Sequence, residues 1–176
     1  MLNSRQDYHP LGFDAASGSS KSQSGEASMA HGKPLTPAFW DSSALVPLCV
    51  QQQASAVVRR LSRQYEIATW WSTSVEVRSA FARLIRAGDL DQAGLALAET
   101  SLNRLLAGWQ EIRPDDAVRS GAEAFLRRFP LTAADALQLS AAITWAGGKP
   151  RGRVFICGDV RLLEAAEQLG FRAVEA

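Results

Sequence analysis

The chain reads as an α/β protein, a three-layer α/β/α sandwich with a mainly parallel central sheet, over about residues 37–176. Two observations carry this. Short runs such as Ala38-Phe39-Trp40 and Val154-Phe155-Ile156-Cys157 are apolar throughout rather than alternating, as strands covered on both faces must be. Between such runs lie stretches with helical spacing, and alternation of the two kinds is the mark of parallel strands joined by helical crossovers.

Residues 1–36 come first, with Ser4, Ser17, Ser19, Ser20, Ser22, Ser24, Ser28 and four glycines among few large apolar side chains, and they read as a disordered extension. Met29 is a candidate start. Ala38-Phe39-Trp40 is then a strand ending at Asp41. Residues 42–50 follow as a short helix interrupted near Pro47. Residues 51–65 continue helically, with Ala54, Val57, Val58 and Leu61 on one side and Arg59, Arg60 and Arg63 on the other. Ile67 to Trp71 is β-prone. Residues 72–87 form a strong amphipathic helix with Val77, Ala80, Phe81 and Leu84 inward, ended by Gly88. Residues 89–107 give a second helix, antiparallel to the last.

Residues 109–112 are a weak strand candidate. Pro114 suits the first turn of a helix from about 115 to 128, which Pro130 stops. Residues 131–146 make another helix, closed by Gly147-Gly148. The strand at 153–157 turns through Gly158-Asp159 into a helix over 160–169. After Gly170 comes a last strand, 172–174.

A chain of 176 residues that is 47% hydrophobic suits one soluble domain. No apolar run approaches the roughly 18 residues of a membrane span, and no basic segment leads into a signal-type apolar stretch, so the reading is cytoplasmic with no membrane partner. Cys49 and Cys157 have no paired spacing, which excludes a disulfide scaffold or zinc ribbon and makes both small buried residues. The net charge of +1 excludes a generally basic nucleic-acid-binding surface. His9 and His31 are the only histidines and both precede Pro34, which removes Ser-His and Cys-His nucleophile pairs, histidine-bound zinc and paired-histidine RNA cleavage from the main domain. Chemistry there would fall to carboxylates and a hard, oxygen-bound cation.

Four acids are placed to supply it. Asp41 and Asp159 directly follow apolar strands, Glu76 lies one turn into the helix after a third, and Asp135 opens a helix of mostly buried residue types. In an open α/β sheet ligands bind outside the carboxyl ends of the strands. Each acid also has an ordinary role. Asp41 and Asp159 sit at helix N-cap positions, while Thr73-Ser74-Val75-Glu76 and Thr132-Ala133-Ala134-Asp135 both fit the capping-box pattern. Singly, capping is the better account. Together, carboxylates crowded at one edge repel unless a cation stands between them, and that points to Mg²⁺ or Mn²⁺.

The ordered set Phe39-Trp40-Asp41-Ser42-Ser43-Ala44-Leu45-Val46, Ser74-Val75-Glu76-Val77-Arg78-Ser79-Ala80, Leu131-Thr132-Ala133-Ala134-Asp135-Ala136-Leu137-Gln138-Leu139 and Phe155-Ile156-Cys157-Gly158-Asp159 resembles the PIN domain (PilT N-terminus) family, and within it the VapC-like toxins of type II toxin–antitoxin pairs. The resemblance implies a Mg²⁺- or Mn²⁺-dependent endoribonuclease with Asp41, Glu76, Asp135 and Asp159 as catalytic and metal-binding residues and Ser42 in support. It further implies an RNA substrate, a cognate antitoxin whose tail occupies the acidic cleft, and a homodimer formed through the helices after Glu76, where the small residues between Gly94 and Ala98 would allow close packing. Two positions depart from the family pattern: Cys157 replaces a Ser or Thr two residues before the last acid, and Gln138 replaces a frequent His.

Arg78 and Arg83 are candidate RNA-backbone contacts, though such charges more commonly form a solvated face. Of the five tryptophans, Trp71 is the best candidate to stack on a base, and the others suit the core. An inactive PIN-like module that binds RNA or protein while its acids only cap helices is the alternative reading. A phosphoacceptor domain using Asp41 is weaker, because no lysine occurs between Lys33 and Lys149.

Overall fold

The computed structural model of the chain describes residues 35–50 and 56–176, all within one compact unit, Lys33–Ala176. The disordered extension read over 1–36 lies outside the described residues except for its last two, and Thr36 already belongs to the first strand. The elements in order are β1 (Thr36–Trp40), α1 (Ser42–Cys49), α2 (Ala56–Ser62), β2 (Tyr65–Trp70), α3 (Thr73–Ala87), α4 (Gln92–Leu106), β3 (Gln110–Ile112), α5 (Asp116–Arg128), α6 (Ala133–Trp145), β4 (Val154–Cys157), α7 (Val160–Leu169) and β5 (Arg172–Glu175). The five strands form one sheet in the order β3-β2-β1-β4-β5, and every pairing is parallel.

Alternation along the central strands splits the core in two. Ala38 and Trp40 of β1, with Val154 and Ile156 of β4, pack among α1 to α4. Phe39, Phe155 and Cys157 face the opposite way, among α5 to α7. Helices therefore cover both faces, giving the three-layer sandwich. Phe39 and Phe155 are register partners whose rings stack at 5.6 Å between centroids. The chain leaves β1 toward β2 on one side, while β4 lies on the other, so the strand order reverses at the end of β1. In open α/β sheets ligands bind at the carboxyl edge beside such a reversal.

Local departures from the sequence reading have local causes. Pro47 does not interrupt α1, which runs through it to Cys49. A proline removes one amide hydrogen bond, and the fully buried Ala44 and Leu45 hold the turn before it in place. The helix read from 51 to 65 is shorter: α2 ends at Ser62 and Tyr65 already starts β2, while Ala54 lies outside the described residues. Pro114 stands before the N-cap rather than in the first turn, because Asp115 caps α5 by accepting the Val118 N–H at 2.7 Å. Asp91 caps α4 likewise through Gly94 N. Gly88 closes α3 at φ 80° as expected. The weak strand at 109–112 is real and forms a sheet edge.

Among the described residues no helix is long and apolar enough to cross a membrane. The Gly94-to-Ala98 face is partly used within the unit, since Ala98 is buried and Leu97 is exposed.

The helix pair α5 and α6 sets where Asp135 stands, and Gly121 of α5 lies so close to the Ser140 hydroxyl of α6 that an added Cβ forces it to move. Gly121→Val should lower unfolding free energy by about 1–3 kcal/mol, the usual range for overpacking, as read by urea denaturation.

Candidate acidic site

Asp41 follows the last residue of β1, and its backbone N–H still bonds to the Ile156 carbonyl of β4 at 2.9 Å. The strand is thus held on the β4 side up to the acid. Asp41 is 4% exposed and N-caps α1 through Oδ2, which accepts from the Ser43 backbone N–H at 2.8 Å and from the Ser43 hydroxyl. The same hydroxyl accepts the Gly158 N–H at 2.8 Å, so Ser43 pins the β4–α7 turn to the Asp41 carboxylate. Ser42, the expected supporting residue, makes no side-chain hydrogen bond among the described residues. The hydroxyl bonded to the Asp41 carboxylate is that of Ser43.

Burial pushes the Asp41 carboxyl above its ordinary value. The two Ser43 bonds oppose that shift, and the negative charges of Glu76 and Asp135 reinforce it. Asp41 is therefore near enough to both Glu76 and Asp135 to feel their charge. None of these three pairs with an arginine or lysine among the described residues.

Glu76 is held differently from the sequence expectation. Thr73 is not an N-cap; it is a fully buried residue inside α3, and Ser72 takes the cap position without a side-chain cap bond. Glu76 instead accepts from the Ser72 hydroxyl through Oε1 and from Gln138 Nε2 of α6 through Oε2 at 2.9 Å. Gln138 Nε2 also reaches Thr73 Oγ1 at 3.1 Å. Thr73 and Thr69 hydroxyls lie 2.8 Å apart, and Thr69 donates to the Trp40 carbonyl at 2.8 Å.

Asp135 makes the capping box read from the sequence: Oδ2 accepts from Thr132 N at 3.1 Å and from its hydroxyl at 2.8 Å, and Thr132 Oγ1 accepts the Asp135 N–H. Asp159 caps α7 through Oδ1 and Leu162 N, while Oδ2 lies 3.7 Å from Arg161. It is the one acid of the four with a cationic neighbour among the described residues. Cys157 stands between it and Asp41. Its Sγ is 3.6 Å from Asp41 Oδ2, 3.5 Å from Ser43 Oγ, and accepts the Asp159 N–H at 3.2 Å.

The structure thus sets Glu76 and Asp135 within electrostatic reach of Asp41 and places Asp159 at the adjoining strand end. Among the described residues, no group of three or more His, Cys, Asp or Glu side chains is arranged so as to hold a metal ion. Arg78 is spoken for, pairing with Glu99 of α4 at 3.1 Å and donating to Ser74 O. Two residues past Glu76 it lies about 200° round the helix, away from the acids. Arg83 is exposed and shares the Glu76 side of α3, about 10 Å further along, where it donates to Ser79 Oγ at 3.4 Å. Trp71 is 48% exposed at the strand edge, set edge-on to the buried Trp70.

Sequence reasoning named Ser43 beside Ser42 but gave the weight to Ser42, missed Ser72, Thr69 and Thr73, and noticed Gln138 only as a departure. A threonine inside the apolar strand run Ile67-Ala68-Thr69-Trp70 was the available signal, since a buried hydroxyl needs a partner.

No protein family matches the chain, and no curated protein does. Nine chains of solved structures match it. One is the crystal structure of PAE2754 from Pyrobaculum aerophilum, similar at TM-score 0.52 and 19% identity over 80% of this chain and 83% of that one. Likeness at that identity is likeness of fold.

Two outcomes test the electrostatics. A carboxyl with a raised folded value binds its proton more tightly folded than unfolded, so its contribution to stability is full below 3.8 and declines as pH rises through the raised value. Asp41→Asn keeps a good N-cap and removes the charge. Without added metal, this variant should be more stable than wild type at neutral pH, with the difference vanishing in acid, as read by urea denaturation across pH. Burial also pushes the Cys49 thiol up to about 12, with the Glu99 charge adding to it, and pushes Cys157 further. Neither thiol should alkylate in the folded protein at a pH of about 8, close to where a free thiol ionises, and mass spectrometry after iodoacetamide checks this.

Proposed function

We propose that the chain is a metal-dependent endoribonuclease of the PIN-domain kind, acting as the VapC-like toxin of a type II toxin–antitoxin pair. The observation that carries the reading is negative charge gathered without a counter-charge. A buried Asp41 feels both Glu76 and Asp135, and none of the three is ion-paired among the described residues. Helix caps alone give no reason for three acids to converge.

The donor set suits a hard divalent cation, since every candidate ligand is a carboxylate oxygen. Asp41 and Asp135 each commit Oδ2 to a cap, and their Oδ1 atoms carry no hydrogen bond among the described residues. The described side chains do not stand together as a metal-holding group, so a bound Mg²⁺ or Mn²⁺ would have to draw in those oxygens and Glu76, with Asp159 contributing from the next strand end. Such a cation, when bound, lowers the pKa of a water and stabilises charge on the phosphate. The chain's own part is to hold the acids and to handle protons. With no histidine beyond His31, accepting the proton of an attacking water would fall to one of these carboxylates.

The exposed Trp71 beside this edge offers a stacking surface to single-stranded RNA. An antitoxin tail bearing arginine would supply the missing counter-charge. A homodimer and a cytoplasmic location complete the proposal. One observation favours the second reading, an inactive PIN-like binding module: Asp41, Asp135 and Asp159 all do cap helices.

Purified protein without antitoxin, incubated with structured RNA, should cleave it with Mg²⁺ or Mn²⁺ and not with EDTA. Asp41→Asn and Asp135→Asn should each lose at least about 100-fold in rate, the upper end of what an outer-shell partner is worth. Absence of cleavage together with a melting temperature indifferent to metal would decide for the binding module.

A further inference from the structure

We propose that Gln138 is a positioning residue of the acidic site, orienting the Glu76 carboxylate and tying together the segments that present Asp41, Glu76 and Asp135. The proposal rests on the nuclease reading and extends it to a residue with no acid–base chemistry of its own.

Gln138 is 1% exposed and lies three residues past Asp135 on α6, so the two share a helix side. Its Nε2 donates to Glu76 Oε2 at 2.9 Å and to Thr73 Oγ1 at 3.1 Å. A carboxylate only accepts, so the nitrogen must face Glu76. The bonding continues inward. Thr69 spends its single hydroxyl hydrogen on the Trp40 carbonyl, so the hydrogen between the two threonines comes from Thr73. One unbroken path thus runs from Glu76 on α3, through Gln138 on α6 and the Thr73 and Thr69 hydroxyls, to the carbonyl of the residue before Asp41. Gln138, Thr73, Thr69 and Trp40 are all sealed from solvent.

The orientation leaves a mark. Gln138 Oε1 is buried and has no hydrogen-bond partner, one of two such side-chain atoms among the described residues. A methionine or leucine would fill this volume without stranding an acceptor. Turning the amide over would set its oxygen against the carboxylate instead. The stranded Oε1 therefore accompanies a donor kept on Glu76. The donor is also neutral. An arginine or lysine at this place would orient Glu76 equally well but cancel its charge, whereas an amide fixes the carboxylate and leaves its full pull on a divalent cation.

Gln138→Met keeps the length and removes the donor. The variant should fold, as judged by circular dichroism, and bind RNA with unchanged KM, while kcat and the affinity for Mn²⁺ by titration calorimetry both fall roughly 10–100-fold. A lowered melting temperature with wild-type Mn²⁺ affinity and kcat would mean a merely structural role and overturn the proposal. A wild-type chain that neither binds Mn²⁺ nor cleaves RNA would sink the nuclease reading instead. In that case, or if Gln138→Met does not fold, NMR of the Gln138 side-chain amide in the otherwise wild-type chain decides. Its hydrogens should exchange slowly and should shift and exchange faster in Glu76→Ala. An amide signal unmoved by Glu76→Ala overturns the assignment.

Discussion

The arrangement depends on a buried carboxylate at the end of the central strand. β1 is paired on both sides and covered on both faces, so Ala38, Phe39 and Trp40 must be apolar, and the chain can turn polar only where the sheet stops. Asp41 is the first residue past that limit. It is still too deep for water to solvate it, and burial is the leading cause of its raised carboxyl. Ser43 offsets part of the loss with two hydrogen bonds, and the start of α1 adds its partial positive charge. The arrival of Glu76 and Asp135 makes the balance worse.

The fold was legible because of its central strands. Runs such as Val154 to Cys157 are fully buried, and four consecutive apolar residues rich in β-branched and aromatic side chains, bounded by Arg153 and Gly158, suit a strand inside a covered parallel sheet. Part of what escaped the sequence lay where tertiary packing overrides local signals. Pro47 is a helix breaker by propensity, yet α1 continues because Leu45 and Cys49 on either side of it are anchored in the core. Pro114 looks like a first-turn residue until Asp115, one place later, captures the Val118 amide. At Pro47 core contacts override a local propensity, and at Pro114 a local cap one residue later sets where the helix starts.

The site was legible in its charges and not in its supports. Acids at strand-to-helix junctions stand out in a sequence, but which hydroxyl serves them does not, as Ser42 and Ser43 show. The misread capping box at Thr73 teaches the same lesson. Thr73 and Glu76 have the right spacing, but Thr73 is drawn into the core by Thr69 and Gln138, residues of β2 and α6. No local pattern reports a bond from α6. Gln138 could be noticed only as an unusual residue, and the reason for it lies in where its nitrogen points.

Capping and metal binding were set against each other as accounts of the acids, and the geometry dissolves that opposition. A carboxylate has two oxygens. Asp41 and Asp135 each give one to helix amides or hydroxyls and keep the other unbonded among the described residues. The cap is then what lets a charge without a cationic partner persist beside others like it, since helix N-termini lower the energy of nearby anions. Glu76 is the exception. It has no cap, and both of its oxygens rest on neutral donors, Ser72 on its own helix and Gln138 on another. An acid fixed by helix amides is placed by its own element, whereas Glu76 depends also on Gln138 of α6, a helix packed on β2. Its position is therefore the one most exposed to any shift between elements, and a buried amide bridging them is the simplest device that holds it without removing its charge.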